Sequence, residues 1–72
     1  MKMSYDPKAD ALYIRLKKKA KIEESDEIAE GIIVDFDAGG KAVGIEFLDA
    51  AKLFGGRKEL QVEMALTEHI KR

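Results

Sequence analysis

The sequence predicts a small α+β protein: an antiparallel sheet of four or five strands, with one short helix on the apolar face of the sheet. Three observations predict this fold class. Residues 11–17 alternate apolar and polar side chains, a glycine pair joins two further alternating runs, and an alanine-containing segment follows them. A chain of 72 residues is too short for two cores, so residues 1–72 are expected to form a single domain.

The first two strands are predicted around a turn. A short strand over residues 2–5 leads into residues 6–10, where Pro7 fixes its own φ and lacks a backbone donor, as turns favour. Residues 11–17 then alternate strictly, which predicts a half-buried strand. Its apolar face carries Leu12, Ile14 and Leu16.

Charge dominates the following part of the chain. Residues 17–21 are mostly lysine and predict an exposed loop. Residues 22–30 contain only three apolar side chains, those of Ile22, Ile28 and Ala29. If this segment is extended, we expect an edge strand whose charges protect it from pairing with other chains.

The strongest local signal is a hairpin centred on Gly39-Gly40. Two glycines between alternating runs favour a two-residue loop, because tight hairpin turns require positive φ. This loop places six large apolar side chains on one face, in the pairs Phe36 with Val43, Val34 with Ile45, and Ile32 with Phe47. The other face carries Asp35, Asp37, Gly44 and Glu46, together with Ile33 and Leu48.

Residues 49–56 predict a short helix or turn. Asp49 suits the N-cap, and Gly55 suits the left-handed position at the C-terminus. Beyond residue 56, apolar alternation favours a further strand, although Leu60, Met64 and Ile70 also fit one side of a helix. The predicted core consists of Leu12, Ile14, Leu16, Ile32, Val34, Phe36, Val43, Ile45, Phe47, Leu53 and Phe54.

Several of these segments carry a family resemblance. They are Tyr5-Asp6-Pro7, Asp10-Ala11-Leu12-Tyr13-Ile14-Arg15-Leu16, Ile33-Val34-Asp35-Phe36-Asp37 and Val43-Gly44-Ile45-Glu46-Phe47-Leu48. Over about residues 3–54 the chain resembles a prokaryotic group known as domain of unknown function family 2283. The resemblance implies a small antiparallel sheet with a helix and a stand-alone cytoplasmic protein, and it supplies no catalytic residues. The antitoxin role suspected for some members implies a small toxin as a partner.

Charge is segregated along the chain although the total is only −1. Residues 1–21 carry a net +5, residues 22–49 a net −8 and residues 50–72 a net +2. A nearly neutral protein is not expected to bind the phosphate backbone of nucleic acids. The best residues for such binding are nevertheless Tyr5, Tyr13, Arg15, Lys17, Lys18, Lys19 and Lys21. For these we favour a solvated strand and loop.

Three acidic residues on one face of the hairpin are the candidate metal ligands: Asp35, Asp37 and Glu46. A solvated face is the favoured interpretation, because side chains two apart on a strand lie about 7 Å apart. The lone histidine, His69, stands near the end of the chain, and neither Ser4 nor Ser25 has a histidine placed to activate it. We therefore expect no catalytic residue, no metal and no cofactor.

The favoured function is a small protein-interaction module that acts as a homo-oligomer, most simply a dimer, and is antitoxin-like if the resemblance holds. Without cysteine, stability must come from packing or from a partner subunit. The expected interface lies in the extension over residues 55–72, at Leu60, Val62, Met64 and Leu66. The alternative is a metal-dependent or nucleic-acid-processing enzyme that uses the acidic hairpin face. With no signal-like segment and no long apolar run, we expect a cytoplasmic protein without membrane association.

Overall fold

Five antiparallel strands and one 3-10 helix make up the computed structural model, which describes residues 1–56 and residue 63. In chain order they are β1 (Lys2–Asp6), β2 (Ala11–Arg15), β3 (Glu24–Ala29), β4 (Ile32–Phe36), β5 (Ala42–Phe47) and the 3-10 helix (Ala50–Phe54). The predicted sheet of four or five strands is confirmed with five, and the conditional edge strand within residues 22–30 is one of them. Within the described part of the chain, no helix has the length and apolar character needed to cross a membrane.

The strands form one sheet in the order β1-β2-β5-β4-β3. Every neighbouring pair is antiparallel, so β5 lies at the centre and β1 and β3 form the two edges. All side chains of β3 are exposed, and its pairing with β4 shifts register between Glu27 and Ala29. The predicted charged edge strand is therefore present, and it also carries an irregularity that hinders pairing with other strands.

The hairpin between β4 and β5 has most of the predicted register. Val34 faces Ile45 and Ile32 faces Phe47 as expected, but Phe36 faces Ala42 because the register shifts after Asp35. This corrects the predicted pairing of Phe36 with Val43.

The cause of the shift is the hairpin loop, which has three residues rather than the predicted two. The amide of Asp37 donates to the carbonyl of Lys41 at 2.9 Å, and the amide of Gly40 donates to the carbonyl of Asp37 at 3.0 Å. Of the two glycines only Gly40 has a positive φ, of 79°. A turn followed by one left-handed residue is the common form of three-residue hairpin loop.

One face of the sheet is apolar. Two rows of side chains cross it, Met3-Ile14-Ile45-Val34 and Tyr5-Leu12-Phe47-Ile32. Of the predicted core, Leu12, Val34 and Val43 are buried. Half-buried are Ile14, Ile32, Phe36, Ile45 and Phe47. Leu16 is 38% exposed and Leu53 is 58% exposed, so the prediction of both as core residues is wrong.

The predicted helix is a single 3-10 turn, so the described residues are mostly β rather than α+β. Asp49 is not its cap: this residue is left-handed, with a φ of 51°, and makes no side-chain capping bond. Gly55 does take the expected left-handed position, with a φ of 73°. A segment that ends in two glycines after five residues is short enough for the tighter 3-10 form.

The 3-10 helix is attached through its first residues and not through Leu53. Ala50 is fully buried, and its amide donates to the carbonyl of Asp10 at 3.0 Å. The amide of Ala51 donates to Oδ1 of Asp10 at 2.9 Å. Three predictions lie outside the described part of the chain. They are the core position of the Phe54 side chain, the strand beyond residue 56, and the interface at Leu60, Val62, Met64 and Leu66.

Candidate functional site

The polar face of the sheet is organised around Asp35, which is only 8% exposed. Its Oδ1 accepts a hydrogen bond of 2.6 Å from Oγ of Ser25 on β3. Its Oδ2 accepts one of 2.8 Å from the hydroxyl of Tyr13 on β2. Both carboxylate oxygens therefore have donors, as a buried charge requires.

Gly44 on β5 makes this arrangement possible, since Tyr13 reaches Asp35 by crossing β5. A Cβ atom at Gly44 would collide with the Tyr13 hydroxyl and would lie 2.8 Å from Cζ of the same ring. It would also lie 3.3 Å from Oδ2 of Asp35. A glycine inside a strand often marks such a close approach, so the sequence signal was present at Gly44.

The hydroxyl of Tyr13 serves here as a hydrogen-bond donor. Burial raises its pKa, and the hydrogen bond and charge of Asp35 raise it further, against a lowering by Arg15. The hydroxyl therefore keeps its proton at neutral pH. Ser25 likewise donates to Asp35, and within the described residues no histidine is available to activate it. The cluster is suited to fixing strands rather than to nucleophilic catalysis.

Asp37 instead stabilises the hairpin loop. Its Oδ1 accepts from the amides of Gly39 and Lys41, both at 2.9 Å. The amide of Lys41, followed by that of Gly39 and the charge of Lys17, lowers the pKa of Asp37. The ammonium of Lys17 lies 4.0 Å from Oδ2 of Asp37.

The three candidate metal ligands are thus not brought together. Asp35 is held by Tyr13 and Ser25, Asp37 belongs to the loop, and Glu46 faces Tyr13 and Ile33 in the next row. Among residues 1–56 and residue 63, no group of three His, Cys, Asp or Glu side chains is close enough to hold a metal ion.

Asp10 forms a second polar junction, in addition to its place in the turn predicted over residues 6–10. Its Oδ1 accepts from the hydroxyl of Tyr5 at 2.7 Å as well as from the amide of Ala51. The hydrogen bond to Asp10 is the main cause that raises the pKa of Tyr5 to about 12. Asp10 has a positive φ of 52°, which aspartate tolerates better than most residues.

Most of the residues proposed for nucleic-acid binding have intramolecular roles. The hydroxyls of Tyr5 and Tyr13 donate to carboxylates. The guanidinium of Arg15 donates to the carbonyls of Lys17 and Ala20, at 3.1 and 3.0 Å, and so holds the lysine-rich loop. A cleft of about 430 Å³ lies beside this loop, lined by Met1, Lys2, Arg15 and Lys18.

The remaining candidate site is an open surface. Large apolar side chains with exposed fractions of about 40 to 60% are Met3, Ile22, Ile28, Leu48 and Leu53. The described residues define a small single-sheet β protein, with one apolar sheet face and two edge strands.

The chain belongs to the family described as "Protein of unknown function (DUF2283)", whose profile matches residues 2–50. It is also similar to an uncharacterized protein of Methanocaldococcus jannaschii, with 41% identity over 54 residues. That match covers 75% of this chain and 45% of the relative, so the chain spans less than half the length of the curated relative. No solved structure matches the chain at a significant level.

Proposed function

We propose that the chain is a small protein-interaction module that acts as a homo-oligomer. The observation that carries this proposal is the incomplete cover of the apolar sheet face. Five of its large side chains are only half-buried: Ile14, Ile32, Phe36, Ile45 and Phe47. The 3-10 helix does not add Leu53 to this face as a buried anchor, since that side chain is 58% exposed. Apolar surface of this kind usually marks an interface.

A second copy of the chain is the partner that the charges favour. Residues 1–21 form β1, β2 and the lysine-rich loop with a net +5, whereas residues 22–49, with β3, β4 and β5, carry a net −8. Two copies related by a two-fold axis can place opposite charges across their interface. Such complementarity supports self-association more than association with a partner of one charge sign.

The C-terminal extension is proposed to contribute apolar cover. Leu60, Val62, Met64 and Leu66 alternate in the sequence, and the glycines at 55 and 56 permit the segment to reach a neighbouring subunit. The antitoxin-like role and the cytoplasmic location are further proposals from the resemblance, and a small toxin would then be a second partner for the same apolar surface.

Sedimentation of the full chain tests the proposal. We expect a dimer at about 100 μM, a concentration at which even a weak specific interface is occupied. If the extension contributes to the dimer interface, Val62→Asp should raise the dissociation constant of the dimer. The matched control Gln61→Asp adds the same charge at the neighbouring polar position and should leave this dissociation constant unchanged. A monomeric full chain at that concentration would contradict the proposal.

Within the part of the chain that the structure describes, no observation favours the alternative, an enzyme on the acidic face. Asp35 and Asp37 use their oxygens for internal hydrogen bonds, and Glu46 lies in a separate row. The interaction module therefore explains more of the described surface.

A further inference from the structure

We propose that the cleft between β1, β2 and the lysine-rich loop binds a small organic phosphate. Its volume is about 430 Å³, and the described residues that line it are Met1, Lys2, Arg15 and Lys18. A space of this size is within the range of small-molecule sites in proteins. The site needs neither the apolar sheet face nor the C-terminal extension, so it stands apart from the proposed homo-oligomer.

Three cations from separate segments meet in this cleft. Lys2 on β1 faces Arg15 on β2 in the strand register, and Lys18 lines the cleft from the loop. Like charges directly opposite each other on paired strands repel. Among the described residues no carboxylate forms an ion pair with any of the three, whereas the neighbouring Lys17 lies 4.0 Å from Asp37. A bound anion would offset the repulsion in the cleft.

Arg15 is held in place for this role by the backbone of the loop. Its Nε donates to the carbonyl of Lys17 at 3.1 Å, and its Nη2 donates to the carbonyl of Ala20 at 3.0 Å. These bonds occupy one edge of the guanidinium. Within the described contacts the other edge, formed by Nη1 and the second hydrogen of Nη2, has no acceptor. Two parallel N–H groups match two oxygens of a phosphoryl group.

The number of cations favours a phosphate over a single carboxylate. A phosphate monoester carries about two negative charges at neutral pH and has three acceptor oxygens. Arg15 can bind two of these oxygens, and the flexible ammonium groups of Lys2 and Lys18 can donate to the third. Inorganic phosphate would fill only a fraction of the cleft. The remaining space, beside the apolar side chain of Met1, fits the organic part of a small phosphate ester.

The acidic residue in the same cross-strand row does not compete for these cations. The row runs from Lys2 through Arg15 and Gly44 to Asp35. The two carboxylate oxygens of Asp35 accept hydrogen bonds from Ser25 and Tyr13. The guanidinium of Arg15 therefore remains the charged group that faces the cleft from this row.

An NMR titration of the full chain at low salt with three probes tests the site. Phenyl phosphate should bind with a dissociation constant below about 1 mM. Inorganic phosphate should bind at least about threefold more weakly, because it leaves the apolar wall uncovered. Benzoate carries the same ring on a single charge and should bind at least about tenfold more weakly. Benzoate that binds as tightly as phenyl phosphate would overturn the assignment of a phosphate.

A matched pair of lysine variants separates the cleft from the general charge of the surface. Lys2→Ala should raise the dissociation constant of phenyl phosphate at least about fivefold, because it removes a cation that lines the cleft. Lys19→Ala removes the same charge from the loop, next to Lys18 but outside the described lining, and should change that constant less than about twofold. Equal effects of both variants would mean that the anion follows the overall charge, and the cleft would be wrong.

The guanidinium contact has its own test. Arg15→Lys keeps the positive charge but lacks two parallel donors, so phenyl phosphate should bind at least about tenfold more weakly. Because Arg15 also holds the loop, the unmodified chain supplies a second measurement. The side-chain resonances of Arg15 should shift during the titration with the dissociation constant of phenyl phosphate. Arg15 resonances that stay fixed at saturation, or no binding below about 10 mM, would overturn the proposal.

Discussion

The hydroxyl of Tyr13 on β2 donates a 2.8 Å hydrogen bond to Oδ2 of Asp35 on β4, across the intervening strand β5. Gly44 supplies the space for this crossing, because any Cβ at that position would meet the Tyr13 ring. Ser25 on β3 completes the network from the other side. One buried carboxylate thus connects the basic and the acidic halves of the sheet.

Gly44→Ala should destabilise the protein by about 1 to 3 kcal/mol, because the new methyl group displaces the Tyr13 hydroxyl and leaves Asp35 with one donor fewer. Urea denaturation gives the free energy of unfolding. In the Tyr13→Phe background the hydroxyl is already absent, so Gly44→Ala should cost less there. Additive losses in the double variant would show that the glycine matters for another reason.

The tyrosines predict a loss of stability in alkaline solution. Hydrogen bonding to Asp10 raises the pKa of Tyr5 to about 12, and burial with the Asp35 contact raises that of Tyr13. Below about pH 10 both hydroxyls are protonated in the folded and the unfolded chain. The hydrogen bonds that they donate to Asp10 and Asp35 then contribute their full stabilisation to the folded state. Above it the unfolded chain releases these protons first, and stability should fall as the pH rises toward 12.

Absorbance of tyrosinate measures this directly, since the chain has two tyrosines and no tryptophan. Tyr13→Phe leaves Tyr5 as the single chromophore and should give a midpoint near 12. A midpoint at the ordinary value near 10 would contradict the contact with Asp10.

Divalent cations should bind weakly. Asp35 and Asp37 already use their oxygens for hydrogen bonds, and a cation would have to displace those donors. Calorimetric titration with Mg²⁺, Mn²⁺ and Zn²⁺ should show no site tighter than about 100 μM. A micromolar site that disappears in Asp35→Ala would instead favour the enzyme alternative.

The sequence predicted the elements better than the contacts between them. Alternation located β2, β4 and β5, and the pairs Val34–Ile45 and Ile32–Phe47 followed from the glycine-centred hairpin. The pairing of β2 with β5 has no local signal, because it joins segments about thirty residues apart. The contact of Tyr13 with Asp35 depends on that pairing and could not be predicted without it.

The predicted helix was only partly correct, as a 3-10 turn with a different cap, for a related reason. Its cap was assigned to the neighbouring Asp49, but the amides of Ala50 and Ala51 are satisfied by Asp10, which is distant in sequence. Capping preferences describe only how neighbouring side chains bond to the first helix amides. Here a tertiary contact with Asp10 supplied the acceptors for those amides instead.

The two adjacent glycines of the hairpin loop differ in backbone conformation, and only Gly40 has a positive φ. Gly40→Ala should destabilise by about 1 kcal/mol, because the alanine would be strained at a φ of 79° although its Cβ has open space. Gly39→Ala is the matched control: its φ is not in the left-handed region, and its Cβ would only touch Oδ1 of Asp37 at 3.4 Å. If urea denaturation shows equal losses in the free energy of unfolding for both variants, both glycines need a positive φ. That result would favour a two-residue loop over the three-residue loop.

Asp10 is predicted to hold the 3-10 helix against the turn before β2. Three interactions depend on it: its Oδ1 accepts from Tyr5 and Ala51, and its carbonyl accepts from Ala50. Asp10→Ala removes the carboxylate and strains an alanine at positive φ, so we expect a loss of about 2 kcal/mol. Asp10→Asn keeps an acceptor oxygen and tolerates the left-handed backbone, so its loss should be smaller.

Asp10→Gly separates the two causes, because glycine removes the side chain without backbone strain. If the carboxylate matters, Asp10→Gly should lower the pKa of Tyr5 from about 12 toward its ordinary value and should speed amide exchange at Ala51. Asp10→Ala should show the same two changes together with a further loss of stability. Unchanged exchange at Ala51 in both variants would mean that the burial of Ala50, and not Asp10, keeps the helix in place.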